Sequence, residues 1–422
     1  MLKLHLVKSG HMYFETSIAV SSSKFATKPD MADCGSACAG DYRVLGKVGE
    51  GAFGTVFRAR DRTGTEVALK RIRVRDVREL PTNAVREMNA LRRVSHPNVV
   101  PLLGVHTHGS NIVLVMPFES SSLASLLAQR DLPLCDEHAS TLGRMLFCGL
   151  CAIHSDGLLH RDIKPHNLLL SASGMLRIAD FGQARLLPTA HDASLSHAVA
   201  SRWYRAPELL LGSRRYGMGV DLWAAGCVLA QLHTLCALLP GESDIDQLFR
   251  VVAFLGSPTR ESWPGVEALP DFHKIELPAG LPPVPLRVLV PLASDAALQL
   301  LGRLLIYDEC RRVSARLAVE EEAWLASAPR SPIPLAALFG HALIGLDASP
   351  VVPPRRPRPM TEDGAGAEPP TPPAPRHTDF PAPICQRAAA PPEGAVAVRR
   401  MLESASVLLE RWRAAPPAEV SR

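Results

Sequence analysis

The chain is poor in aromatic residues, in net charge and in long apolar runs, and each shortage narrows what it can be. Phe, Tyr and Trp supply 5% of the 422 residues, which argues against a surface built to stack nucleic-acid bases. Lys and Arg exceed Asp and Glu by only 46 to 42, a formal charge of +4, too mild to call for a nucleic-acid or membrane partner. No stretch nears the roughly 18 uninterrupted apolar residues of a membrane helix, so no membrane span is expected. The 9 cysteines do not form a disulfide framework, and a reducing, intracellular compartment follows. Cys148 and Cys151 make one C-x-x-C with no second pair at zinc-finger spacing; within the apolar run 145–153 they read as part of a buried helix. Hydrophobic residues at 47% exclude a wholly disordered protein.

What the chain does have is proline, 37 against 29 glycines, and it is unevenly placed. Residues 350–397 hold 14 prolines among many Ala and Arg, a composition that cannot build a core. Residues 1–40 have few acids and no long apolar segment, so a secretory signal is not expected; an organelle-targeting segment, a floppy extension and a start at Met31 stay open. Between these ends the patterning is regular. Tyr42–Leu45, Thr55–Arg60, Glu66–Ile72 and Ile112–Met116 read as short strands separated by Gly-bearing turns. Asn83–Val94 has apolar residues at helical spacing, and Ala139–Ile153, Val220–Thr234, Asp244–Leu255 and Ala296–Leu305 are helical patterns. A strand-rich segment before a helix-rich one predicts two unequal lobes. Met401, Leu402, Ala405, Leu408, Leu409 and Trp412 share one face of a short terminal helix.

Four motifs carry the chemistry. Val48-Gly49-Glu50-Gly51-Ala52-Phe53-Gly54-Thr55-Val56 places glycines where a hairpin backbone can approach phosphates, with strand-like residues following rather than a helix. Val67-Ala68-Leu69-Lys70 puts a lysine on an apolar strand, where an unpaired ammonium is costly; Glu87 on the next helix is the partner. His160-Arg161-Asp162-Ile163-Lys164-Pro165-His166-Asn167 offers a base at Asp162, a cation at Lys164 and an oxygen ligand at Asn167. Asp180-Phe181-Gly182 follows the strand Leu176–Ala179 and supplies a second metal-ligating carboxylate.

This ordered set resembles the eukaryotic protein kinases, and Ala206-Pro207-Glu208 and Asp221-Leu222-Trp223 agree. The resemblance implies an α+β bilobal fold over 41–330, with an antiparallel sheet plus one helix to about residue 118 and a mainly helical lobe from about 119. It leaves 331–397 as a disordered tail, 398–413 as the short helix and 414–422 as a disordered end. It implies ATP and Mg2+ as cofactors. Lys70, steadied by Glu87, holds the α- and β-phosphates; Asp162 accepts the substrate proton; Lys164 stabilises the transferring group; Asn167 and Asp180 hold Mg2+. Val56, Ala68 and Leu169 sandwich adenine, Met116 is the gatekeeper, and Pro117 and Glu119 meet the base through backbone groups. Glu208 pairs with Arg312, and Asp221 anchors the catalytic loop.

Within that family, Pro81-Thr82-Asn83-Ala84-Val85-Arg86-Glu87 resembles the cyclin-contacting helix of cyclin-dependent kinases. Ser171–Asp180, Gly219–Trp223 and Leu269–Ile275 resemble the cell-cycle-related kinase branch, and the T-x-Y motif of mitogen-activated kinases is missing between Asp180 and Ala206. The group implies Ser/Thr-Pro substrates, a cyclin-like activator, Ser201 bonded to Asp162 and Lys164, and an activating phosphosite at Ser196 clamped by Arg86, Arg161 and Arg185. Location in nucleus and cytoplasm is implied, with the cilium as a further candidate. Ala52 and Phe53 replace inhibitory Thr and Tyr sites, and Gln183 replaces a leucine. The alternative is a pseudokinase scaffold that binds partners through the fold and the tail, whose prolines suit SH3- or WW-type binders.

Overall fold

The computed structural model describes residues 38–39, 42–51, 54–74, 81–108, 111–188 and 194–339. Most of the N-terminal extension, the Ala52–Phe53 tip of the glycine turn, the proline-rich tail with its proposed SH3- or WW-type binders, and the 398–413 helix lie outside the described residues.

The first lobe is one antiparallel sheet made by β1 (Cys38–Ala39), β2 (Tyr42–Gly51), β3 (Gly54–Arg60), β4 (Glu66–Arg73), β5 (Gly104–His108) and β6 (Asn111–Pro117), in the order β1-β2-β3-β4-β6-β5. Register decides what faces the cleft. Lys70 lies opposite Val56 and Leu114, and Ala68 opposite Met116. Side chains alternate along a strand, so Ala68, Lys70 and Ile72 share the inner face. Val67 and Leu69 take the outer face, where they pack with Ala59, Val113 and Val115 in a small separate core. The edge strand β5 escaped the sequence reading because its polar alternation, His106-Thr107-His108, carries no apolar signal.

Helix α1 (Thr82–Arg93) buries Ala84, Met88, Ala90 and Leu91 on the stripe that also carries Glu87, and Arg92 and Arg93 in its last turn complement the helix dipole. The sequence placed it at Asn83–Val94, one residue later.

The second lobe opens with β7 (Ser121–Ser122) and α2 (Leu123–Ala128), where the Ser122 hydroxyl accepts the Ser125 N–H as a helix cap. Helix α3 (Asp136–Ser155) carries Cys148 and Cys151, both half-buried and free, as the helix reading expected. The short strands β8 (Leu158–Leu159), β9 (Leu168–Leu170), β10 (Leu176–Ile178) and β11 (Arg185–Leu186) hold the loops between them. The single turn α4 (Pro207–Leu210) follows, and then α5 (Gly219–Leu232), which buries every residue except Gln231. A helix apolar on all sides belongs at the centre of a lobe. Around it lie α6 (Asp244–Leu255), α7 (Leu286–Leu289), α8 (Asp295–Leu304), α9 (Ala315–Glu320) and α10 (Ala323–Ala326).

One boundary is corrected. The sequence began a disordered tail at 331, but α11 (Leu335–Phe339) packs on the second lobe: Leu338 is buried, its carbonyl meets Arg130, and the Leu335 N–H donates to Ala172 O at 3.2 Å. The proline-rich composition hid a five-residue turn too short to show periodicity.

Glu208 and Arg312 form a two-pronged buried pair, with Arg312 Nη1 to Oε1 at 2.6 Å and Nη2 to Oε2 at 2.8 Å. Arg312 also donates to the carbonyls of Ile306, Tyr307 and Gly219, which satisfies the guanidinium. Beside this pair, Glu309 accepts the Gly217 N–H at 3.2 Å, and burial, reinforced by the Glu208 charge, raises its carboxyl to about 7. A carboxyl raised above its unfolded value stabilises the fold when protonated, and that contribution fades as pH climbs through the folded value. Replacing Glu309→Gln should therefore flatten a decline of about 1–3 kcal/mol in unfolding free energy between pH 5 and 8. Denaturant melts across that range check it, and parallel declines in both proteins would contradict it.

Candidate active site

Lys70 is the most constrained side chain in the cleft. Its Nζ donates to both Glu87 oxygens, at 2.7 and 2.8 Å, and to Asp180 Oδ1 at 2.8 Å. The three residues come from β4, from α1 and from the turn after β10, so one ammonium ties three elements together. Lys70 is 8% exposed and Glu87 1%. Burial alone would pull the lysine down, but the Glu87 and Asp180 carboxylates outweigh it and hold the ammonium above its ordinary value. Burial works the other way on Asp180, and there too the opposite charge wins: Lys70 keeps that carboxyl below the ordinary range. Asp180 adopts a left-handed backbone, φ 63°, uncommon for a non-glycine residue and a feature of strained functional turns. Phe181, next in sequence, is fully buried against the ring of His160, with centroids 4.8 Å apart.

The catalytic loop is pinned from beneath by Asp221, in the first turn of α5. Its carboxylate accepts the backbone N–H groups of His160 at 2.9 Å and Arg161 at 2.7 Å, and meets His154 Nε2 at 3.0 Å. Burial pushes this carboxyl up, yet the His154 bond and the surrounding donors bring it below its ordinary value. His160 fixes the loop from the side. The Asp162 N–H donates to its Nδ1 at 3.2 Å, so Nε2 carries the proton and donates to Ala179 O at 3.0 Å.

This scaffold presents a compact polar group. Asp162 Oδ1 accepts the Ser201 N–H at 3.0 Å and hydroxyl at 2.9 Å; Lys164 Nζ lies 2.8 Å from Asp162 Oδ2 and donates to Ser201 Oγ at 2.8 Å. Asn167 Nδ2 donates to the Asp162 carbonyl at 2.8 Å and to its Oδ2 at 3.0 Å. With the amide nitrogen so engaged, the Asn167 oxygen is left as an acceptor, and Asp180 keeps its second oxygen beyond the one bonded to Lys70. One carboxylate and one amide oxygen suit a hard cation such as Mg2+, which takes one or two protein ligands and fills its shell with phosphate and water. The donor set fits that ion.

The roof is the β2–β3 hairpin, with Gly49 opposite Val56, Glu50 opposite Thr55 and Gly51 opposite Gly54. Gly54 has φ +142°, and a Cβ there would sit 2.2 Å from the Arg71 carbonyl, so the close strand approach demands glycine. Val48 is exposed, and Glu50 pairs with Lys47. Below the hairpin, Ala68 and Val56 share the inner face with Lys70, buried Met116 closes the back, and Leu169 on β9 is half-buried. Pro117 ends β6. The Glu119 side chain turns into the second lobe and pairs with Arg177, which leaves only its backbone for a ligand.

Residues 42–325 match the protein kinase domain. The chain is 43% identical over 281 residues to cyclin-dependent kinase 20 of Danio rerio, covering 66% of this chain and 81% of that protein. It is 41% identical over 285 residues to cyclin-dependent kinase 7 of Xenopus laevis, covering 66% and 80%. A solved structure of the CAK complex from Chaetomium thermophilum bound to ATP-gamma-S superposes with TM-score 0.63 at 31% identity, covering 69% of this chain and 93% of that one. The chain is a protein kinase of the cyclin-dependent group.

In this kinase the three arginines that the sequence grouped are brought together. Burial and the charges of Arg185 and Arg161 pull Arg86 below the ordinary guanidinium value, and among the described residues no carboxylate pairs with Arg86 or Arg185. Arg161, held at φ 66°, donates to Gln183 O at 2.6 and 2.8 Å and to Tyr216 Oη at 3.0 Å. Tyr216 in turn donates to the carbonyl of Ser196, which is exposed. Tyr216 and His154 were missed by sequence reasoning: Tyr216 bonds Arg161 from 55 residues away and His154 meets Asp221 from 67 away, and no local motif marks either.

If Lys70 depends on two carboxylates, Glu87→Gln should cost roughly 100-fold in kcat/KM for ATP, the scale of losing one preorganised electrostatic contact, with the protein still folded. Initial rates and a thermal melt check this. A folded variant with unchanged kcat/KM would contradict it.

Proposed function

We propose that this kinase moves the γ-phosphoryl group of ATP to Ser or Thr residues followed by Pro, and that phosphorylation of Ser196 raises its activity. Lys70 fixes the α- and β-phosphates. The substrate hydroxyl oxygen attacks the γ-phosphorus, the bond to the β,γ-bridging oxygen breaks, and the proton passes to Asp162. Lys164, already beside Asp162, faces the charge that builds on the transferring group. Asn167 and Asp180 would hold Mg2+, which when bound offsets charge on the phosphate oxygens. The presence of all four of Lys70, Asp162, Asn167 and Asp180, with Lys70 bonded to Asp180 and Asn167 to Asp162, leaves little support for an inactive scaffold.

The observation that carries the substrate class is the turn at Ala200, which is left-handed at φ 64° in a residue with a Cβ. Arg205 holds it there: Nη2 donates to Ala200 O and Nε to Val199 O, both at 2.9 Å, while Nη1 pairs with Asp244 at 2.8 Å. With both carbonyls engaged, a peptide N–H arriving after the acceptor residue has no partner. Proline brings no N–H and is preferred there. The clustering of Arg86 with Arg161 and Arg185, with no carboxylate on Arg86 or Arg185 among the described residues, supports the reading of Ser196, since a phosphate of about −1.5 to −2 charges would complete it. Helix α1 resembles a cyclin-contacting helix, so the activator proposed is a cyclin-like protein.

Two measurements test this. Purified full-length kinase should phosphorylate a Ser-Pro peptide far faster than its Ser-Ala counterpart and should lose the reaction in Asp180→Asn; equal rates on both peptides, or transfer surviving the substitution, would sink the proposal. Ser196→Ala should lower turnover at saturating ATP relative to protein fully phosphorylated at Ser196, and matching turnover would remove the regulatory part.

A further inference from the structure

The hinge between the lobes is short of backbone bonds. Pro117 closes β6 opposite Val67 and has no N–H to give, and the Phe118 N–H reaches Glu66 O only at 3.4 Å. Side chains take over. On the first-lobe side, the Arg58 guanidinium lies 4.8 Å from the centre of the Phe118 ring and is paired with Glu66 through bonds of 2.8 and 3.0 Å. On the second-lobe side, the Glu119 side chain is 2% exposed and forms an ion pair with Arg177 Nη1. Burial raises the Glu119 carboxyl and Arg177 opposes it, as expected of a carboxylate whose stability depends on that one cation.

Arg177 sits in the middle of β10, three residues before Asp180. Its Nε donates to Pro97 O at 3.2 Å, in the segment that leads out of α1. The same segment is laced to β10: Ile178 N–H to Asn98 O and Val100 N–H to Ile178 O, both at 2.9 Å, and Asn98 Nδ2 to Leu176 O at 2.8 Å. One guanidinium therefore gathers the hinge, the α1 exit and the strand that carries Asp180.

We propose that the Arg177–Glu119 pair is a clasp that ties the hinge to the strand before Asp180 and sets the rate at which nucleotide leaves the cleft, with Arg177 a positioning residue. The proposal rests on the cleft being the nucleotide site. Release of a nucleotide from between two lobes requires them to part, and parting turns at the hinge. That rotation turns the hinge backbone at Glu119 relative to Arg177, whose strand is fixed in the second lobe by its bonds to Pro97, Asn98 and Val100. Opening must then strain a pair whose carboxylate is 2% exposed, so the open state is disfavoured for as long as the pair is intact.

The test is dissociation of a fluorescent N-methylanthraniloyl ADP from the full chain, followed by stopped flow, alongside KM for ATP and a single-turnover transfer rate. Arg177→Met should speed release by about threefold or more, the range of coupling a single network residue carries, and raise KM for ATP in step. Its single-turnover rate should stay at that of the wild type, because Arg177 touches neither phosphate nor acceptor. Arg177→Lys, which keeps the charge, should restore slow release. The double variant Glu119→Gln with Arg177→Met leaves no orphaned charge and should release as fast as Arg177→Met. Release at the wild-type rate from the folded double variant would overturn the clasp, even if Arg177→Met proved unstable. A wild-type chain that binds no labelled ADP would overturn the nucleotide reading of the cleft and the clasp with it.

Discussion

An ammonium removed from water needs counter-charge, and the arrangement of this kinase follows from how Lys70 obtains it. The two carboxylates that satisfy it belong to elements with no other reason to converge, a helix of the first lobe and a turn of the second. Placing Glu87 over Lys70 fixes the rotation of α1. Placing Asp180 beneath it fixes the turn after β10 in a left-handed conformation that its own backbone would not choose. The same pairing leaves one Asp180 oxygen free, the property a metal ligand requires.

The second lobe answers with a carboxylate where the first uses a cation. Asp221, in the first turn of a helix buried at all but one position, collects two consecutive backbone N–H groups and a histidine, and so turns α5 into the base on which Asp162, Lys164 and Asn167 are displayed. Arg312 does comparable work below, closing Glu208 and three carbonyls around one guanidinium. The activation segment is different in kind. There the positive charges of Arg86 and Arg185 are gathered without a carboxylate among the described residues, and charge left open in this way is what a phosphate can complete.

Much of this was legible in the sequence because the chemistry is local. Asp162, Lys164 and Asn167 lie within six residues, and a lysine on an apolar strand already called for Glu87 on the next helix as its partner. The helix Asp244–Leu255 was read to the residue, since its Ser243 cap and apolar stripe agree. What escaped was long-range or short. Arg177 and Glu119 are 58 residues apart, and His154 and Asp221 are 67 apart, so neither pairing has a spacing to read. Strand β5 was hidden by the polar run His106-Thr107-His108, and α11 by its five-residue length inside a proline-rich context.

The central claim is that Lys70, held between Glu87 and Asp180, makes the cleft competent for phosphoryl transfer. The most direct measurement is transfer from radiolabelled ATP by purified full-length Lys70→Met against wild type, with a thermal melt of each. The account predicts a folded variant that retains less than about a hundredth of the wild-type rate at saturating ATP. A folded Lys70→Met that transfers phosphate at the wild-type rate would contradict it.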